Sequence, residues 1–151
     1  MKNEQLHKIK VFQNAFIVYW KEQDIFNQVK GKNIDIYIED NEMKILTVDG
    51  NAESIYYTKD DADGYIGGNQ STSGNIIMVF DEGELQTITL INAPEATFTP
   101  MKKITTTSYQ LDGFKWEWKL KPKTKYDVIR NVQHYENFVS KHKMLYTIKE
   151  K

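Results

Sequence analysis

The sequence predicts an all-β protein, a repeat β-solenoid of stacked units of about 40 residues with an amphipathic helix confined to its C-terminal tail. Three observations predict it. The chain repeats itself at a fixed offset, apolar residues alternate with period two through residue 120, and a helical stripe appears only after Pro122.

The repeat is read directly from the residues. Asn27–Val48 aligns with Asn69–Leu90 without a gap at an offset of 42. Asn27, Gln28 and Asn33 then meet Asn69, Gln70 and Asn75, while Ile34, Ile36 and Ile38 meet Ile76, Met78 and Phe80. Glu39-Asp40-Asn41-Glu42 meets Asp81-Glu82-Gly83-Glu84, and Met43, Leu46 and Val48 meet Leu85, Ile88 and Leu90. In a second phase, Asn14-Ala15, Asn51-Ala52 and Asn92-Ala93 recur at spacings of 37 and 41. Leu6, Ile9 and Val11 share the apolar spacing of Met43-Leu46-Val48, so the first copy begins partway through a unit. The expectation is that further repeats stood upstream and that the N-terminal strand edge pairs with another copy or another chain.

Each element follows in order. Phe16–Trp20 is rich in β-formers, and a turn is expected near Glu22-Gln23-Asp24. Ile34-Asp35-Ile36-Tyr37-Ile38-Glu39 alternates, which puts the three isoleucines on one face. Asp40-Asn41 and Glu82-Gly83 are turn chemistry, because Asn and Gly accept positive φ at little cost. Leu46 and Val48 point inward with Thr47 outward, and Ile88 and Leu90 repeat this around Thr89. Ser54-Ile55-Tyr56-Tyr57 is a further strand, and Asp60–Gly64 is its loop. Equivalent residues of stacked repeats share a column, so Ile34, Ile36, Ile38, Leu46 and Val48 are expected beneath Ile76, Met78, Phe80, Ile88 and Leu90.

The ending departs from the pattern. Pro94, Pro100 and Thr105-Thr106-Thr107-Ser108 break the repeat. Lys115–Leu120 reads as a final strand with Trp116, Trp118 and Leu120 on one face, a plug for the end of the core. After Pro122, Thr124 fits an N-cap with Asp127 three residues on. Val128, Val132, Tyr135 and Val139, with Ile129 and Phe138, then form an apolar helical stripe that caps the solenoid or binds a partner. The organisation is a β-repeat domain over 1–121 and a helical tail over 122–151.

Composition bounds the function. A chain of 151 residues, 40% of them hydrophobic, suits one folded domain. Residues 1–100 hold 8 Lys/Arg against 16 Asp/Glu, whereas residues 101–151 hold 12 against 5. That basic end suits anionic headgroups, an acidic partner or plain solvation. The acidic body repels phosphodiester backbones, so no nucleic acid is expected. No apolar run reaches the roughly 18 residues of a membrane span, and Met1–Lys10 lacks the apolar core of a signal peptide. With no cysteine, disulfides and thiolate chemistry are excluded. His7, His134 and His142 share no ligand spacing, Asp61-Ala62-Asp63-Gly64 lacks the rest of a calcium loop, and Gly64-Tyr65-Ile66-Gly67-Gly68 opens no helix for phosphate. No nucleophile setting is recognisable. The expectation is a non-enzymatic protein with neither metal nor cofactor.

Five segments carry a resemblance: Phe26-Asn27-Gln28-Val29-Lys30-Gly31-Lys32, Val48-Asp49-Gly50-Asn51-Ala52, Ile55-Tyr56-Tyr57, Ile66-Gly67-Gly68-Asn69 and Gly113-Phe114-Lys115-Trp116. In order and spacing, residues 6–120 resemble the OstA/LptA-like lipopolysaccharide-transport family, and within it the OstA-like proteins of Bacteroidetes-type bacteria. The resemblance implies a periplasmic half-open β-jellyroll whose apolar slot shields the acyl chains of lipopolysaccharide on the way to the outer membrane. The slot residues would be Ile34, Ile36, Ile38, Leu46, Val48, Ile76, Met78, Phe80, Ile88 and Leu90. Lys102, Lys103, Lys119 and Lys121 would lie near headgroups or a partner, and other transport-bridge proteins would dock at the ends. The C-terminal tail departs from a minimal member of the family. An open slot and a closed core have the same alternation, so the sequence also allows a purely structural solenoid that self-associates through strand edges.

Overall fold

The computed structural model describes residues 5–105, 107–117 and 145–150. Four long strands dominate: β1 (Leu6–Glu22), β2 (Ile25–Glu39), β3 (Glu42–Lys59) and β4 (Tyr65–Asp81). Shorter strands follow, β5 (Glu84–Ile91), β6 (Glu95–Pro100) and β7 (Leu145–Glu150), with a single 3-10 turn at Met101–Lys103. The protein is all-β, as the alternation predicts. One open antiparallel sheet runs β5-β4-β3-β2-β1-β7, and β6 pairs with the other half of β4.

The turns follow their residues. Asp40 (φ 50°) and Asn41 (φ 63°) join β2 to β3, and Glu82 (φ 50°) and Gly83 (φ 77°) join β4 to β5. Positive φ at both central residues is the hairpin turn whose twist matches that of the strands. The longer Asp60–Gly64 loop is held by Asp60, whose Oδ1 accepts the amides of Ala62 at 3.0 Å and Gly64 at 2.9 Å.

Where the sequence suggests short separate strands such as Phe16–Trp20, Ile34–Glu39 and Ser54–Tyr57, the chain instead makes long strands that bend in the middle. Pairing shifts register between Phe12 and Ala15, between Lys30 and Asn33, and between Asp49 and Ala52. At or beside these breaks lie left-handed residues: Gln13 and Asn14 (both φ 58°), Gly50 (φ 80°) and Asn51 (φ 47°), with Asn92 (φ 66°) and Ala93 (φ 51°) between β5 and β6. Asn and Gly adopt this conformation with least strain, so the recurring Asn-Ala pairs mark a crease across the sheet. At the same crease β2 carries Gly31, where a Cβ would collide with Val48. Asn75 Nδ2 donates to Asp49 Oδ1 at 2.6 Å and Asn92 Nδ2 to Asn75 Oδ1 at 3.3 Å, a polar line along the bend.

The crease divides the sheet into two arms. The first holds 6–12, 33–39, 42–49, 75–81 and 84–91; the second holds 15–22, 25–30, 52–59, 65–73 and 95–100. In a flat sheet β1 and β5 would stand four strands apart, about 19 Å at ordinary strand spacing. Yet Lys21 at the end of β1 meets Glu84 at the start of β5, Nζ to Oε1 3.2 Å. The sheet is therefore folded over, first arm against second.

One core fills the fold. Val11, Ile34, Leu46, Val48, Ile76, Met78 and Phe80 of the first arm pack with Ala15, Val29 and Ala52 of the second. Val29 and Ile34 are five residues apart, opposite in strand parity, and enter the same core because β2 breaks between them. A second cluster, Ile25, Ile55, Tyr57 and Leu111, lies on the outer face of the second arm. It is covered by Met101, Ile104 and Tyr109. Buried Gln28 tethers that cover: its Oε1 accepts the Leu111 amide at 2.8 Å, and its Nε2 donates to the Tyr109 carbonyl at 3.4 Å.

The ending differs from the sequence expectation. Lys115–Glu117 is not strand. Trp116 does not plug the core; it is 40% exposed and rests on Phe26 at 5.1 Å between centroids, outside the second arm. Phe26 and Phe114, 5.4 Å apart, form an apolar platform there on which the Trp116 ring packs. Trp118, Leu120 and the helical stripe Val128–Val139 lie outside the described residues. The last six described residues of the tail are a strand, β7, paired with Leu6–Phe12 of β1. That stretch of N-terminal edge is thus taken by the chain itself, and Gln13–Glu22 has no second strand among the described residues.

Met78 is 1% exposed at the centre of the ladder, so Met78→Ala is expected to cost about 2–5 kcal/mol in urea unfolding. Thr89→Ala, exposed on the opposite face, is expected to change stability by less than about 0.5 kcal/mol.

Candidate functional site

The residues read as a ladder form one. Across the first arm run two rows: Val11–Ile34–Val48–Ile76–Leu90 and Ile9–Ile36–Leu46–Met78–Ile88. Ile38 pairs with Met43 and Phe80 with Leu85, which completes the face toward the turns. Antiparallel register alone sets these rows, since residues opposite one another share a face. Accessibility within the ladder is uneven. Ile34 and Ile76 are fully buried and Leu46, Val48 and Met78 nearly so, whereas Ile36, Ile38, Ile88 and Leu90 are half-buried. The middle of the ladder is closed core, with no face left to solvent.

Its end is reachable from a cleft. Where the tips of the two arms meet, a cleft of about 300 Å³ is lined by Tyr56, Tyr65 and Asn69 of the second arm and by Leu85 and Ile88 of the first. Ile88 belongs to the second row, so the cleft opens onto the ladder's end. Two cations stand at its rim. Lys59 is held by Asp63 of its own loop at 2.8 Å and lies 4.9 Å from the Tyr65 ring. Lys21 crosses the mouth to Glu84, its ammonium 5.1 Å from the Tyr19 ring. Of that pair, Lys21 is only 16% exposed and Glu84 62%.

Tyr56 adds a second link across the mouth through a hydrogen bond with the Leu85 backbone. Burial pushes its hydroxyl up from 10.0 to about 12; the hydrogen bond to Leu85 works against this, and the charge of Glu84 adds to the rise. Tyr56 therefore stays neutral, and a donor, throughout the physiological range. Burial also raises Tyr57 and Tyr65. This cluster of buried and half-buried phenols is polar enough to orient a ligand. Among the described residues no group of three or more His, Cys, Asp or Glu is placed to hold a metal ion.

The lysines expected near the ligand do not flank this cleft. Lys102 and Lys103 are exposed on the 3-10 turn, which belongs to the cover on the outer face of the second arm. The sheet stands between them and the ladder, because the cover's apolar residues Met101 and Ile104 must face the second cluster. Lys119 and Lys121 lie outside the described residues. The cations that do reach the cleft, Lys21 and Lys59, carry no local sequence signal, since Lys21 and Glu84 are 63 positions apart. Leu85 was legible as the repeat partner of Met43; Tyr56 and Tyr65 looked like ordinary strand residues.

Comparison with protein-family models, with curated proteins and with solved structures finds no match to this chain. Among the described residues no helix is long and apolar enough to cross a membrane.

A phenol whose folded pKa is raised favours folding below its unfolded value of 10.0, and that contribution is lost as pH climbs through the folded value near 12. Melting temperature is accordingly expected to fall as pH rises across this window, and Tyr56→Phe to make the fall shallower. Tyr57 and Tyr65 shift in the same direction, so the slope should shrink without vanishing.

Proposed function

We propose that the chain is a non-enzymatic lipid-handling protein of the OstA/LptA type, a component of lipopolysaccharide transport in the periplasm that shields acyl chains between its two arms. One observation carries the reading: a continuous apolar ladder spans the inner face and meets solvent at a cleft between the arm tips. The fold reading that goes with it is a half-open β-jellyroll, or short β-solenoid, in which each unit supplies two creased strands. Other transport-bridge proteins or further copies of the repeat would continue the trough at its ends.

The magnitudes are compatible. Across the mouth run one ion pair exposed on its Glu84 side, worth about 1 kcal/mol, and one hydrogen bond, worth about 0.5–1.5 kcal/mol. Burial of an acyl chain returns about 0.8 kcal/mol per CH₂. Three or four methylenes in the ladder therefore offset both links, and the chain replaces the contacts that the separated arms give up.

A second reading is favoured by the closure of the ladder's middle: the same residues serve only as core, and the protein is a scaffold that self-associates through strand edges. Among the described residues β5 and β6 pair only with β4, which leaves such an edge. Native mass spectrometry separates the two, with lipid adducts on the one side and lipid-free, concentration-dependent oligomers on the other.

A photo-crosslinking residue at Ile88, half-buried beside the cleft, is expected to capture lipid in cells, and one at exposed Thr89 is not. Equal labelling at both positions, or none at either, would count against acyl binding and leave the scaffold.

A further inference from the structure

The two ends of the ion pair across the cleft are not equivalent. Lys21 is folded into the cleft wall, its side chain 16% exposed, and is fixed there by β1 and by the Tyr19 ring. Glu84 is 62% exposed at the first position after the Glu82-Gly83 turn. If the pair opens, Glu84 regains full hydration with little movement, whereas Lys21 is left as a cation facing an apolar cleft. An exposed carboxylate is weakly held, and a cation among aromatic and aliphatic groups retains its demand for an anion. Lys59, the other cation that lines the cleft among the described residues, is held at 2.8 Å by Asp63 of its own hairpin.

We propose that Lys21 is the anchor for the anionic headgroup of an amphiphile, and that Glu84 is a built-in competitor which the headgroup displaces as it opens the cleft. This rests on the acyl-slot reading above and specifies its ligand: one apolar chain ending in a phosphate or carboxylate, not a neutral lipid. The geometry places the two halves of such a ligand. With its anion on Lys21, the chain starts between Tyr56, Tyr65 and Leu85 and reaches Ile88, the end of the second row of the ladder. The neutral Tyr56 hydroxyl supplies a donor at the same rim. Removal of the Lys21–Glu84 pair also removes one of the two links across the mouth, so the binding of the anion and the parting of the arm tips are the same event.

The test uses the full chain and three probes of equal chain length below their micellar concentrations: dodecyl phosphate, laurate and the neutral monolaurin, each followed by titration calorimetry. The charged probes are expected to bind more tightly than monolaurin, with dodecyl phosphate against laurate telling a lipid phosphate from a free carboxylate. Lys21→Gln should weaken the charged probes on the order of tenfold without weakening monolaurin, and Lys21→Arg should restore them. Glu84→Gln should strengthen the charged probes about threefold more than it strengthens monolaurin, whereas loss of a merely structural link would favour charged and neutral probes alike. Lys102→Gln, exposed on the outer-face cover away from the cleft, serves as the control for general charge and should change little. Equal affinity for charged and neutral probes, or a Glu84→Gln variant that gains no more for charged probes than for monolaurin, overturns the exchange while acyl binding stands. Failure of all three probes, monolaurin included, overturns the acyl reading and the anchor with it.

Discussion

The structure depends on the crease. Four strands of 15 to 18 residues with one apolar face each would make a sheet whose dry side has nothing to cover it. Folding at mid-strand lets the sheet cover itself, and the chain needs left-handed backbone along one line to do so. Asn14, Gly50, Asn51 and Asn92 supply it, and Gly31 supplies the room. A β-branched residue in any of these left-handed positions would oppose the bend through contact of its Cβ with the carbonyl. The hydrogen bonds Asp49–Asn75–Asn92 keep successive strands bent at the same height.

Folding over solves only one face. The outer face of the second arm carries Ile55 and Tyr57 and would be exposed without Met101, Ile104 and Tyr109. Gln28 secures that cover with two hydrogen bonds from a buried side chain. Its repeat partner Gln70 is exposed and uncovered, so the repeat is broken by what packs on it rather than by its own residues. Among the described residues the first arm has no such cover, and its outer face holds Thr47, Thr87 and Thr89 beside the exposed Tyr37, Ile45 and Val79. The cover also explains why Lys102 and Lys103 point away from the ladder: a segment that buries Met101 and Ile104 must turn its charges outward.

The two arms are held together unequally. At the crease they are joined by covalent chain and by the buried residues Ala15, Val48 and Ala52. At the tips they are held by Lys21–Glu84 and by Tyr56 against Leu85. A clamp that is strong at the hinge and weak at the mouth opens at the mouth first, which is where Ile88 and the cleft lie. The same asymmetry suits a protein that admits a chain from the side, and it costs a pure scaffold nothing.

The sequence by itself determined the all-β class, the two-residue turns and the membership of the ladder, because these rest on local rules: period-two alternation, positive φ at Asp40-Asn41 and Glu82-Gly83, and a repeat that puts Ile36 in register with Met78. It also displayed the crease as recurring Asn-Ala pairs, without saying whether they end strands or bend them. Only the tertiary structure decided that. Whether a left-handed residue terminates pairing or redirects it depends on the neighbouring strand breaking at the same height, and that is a property of five strands together. For the same reason the cleft was not legible. Lys21 and Glu84 meet only because the folded sheet brings β1 against β5, and the exposure of each follows from the contact and not from its neighbours in the chain.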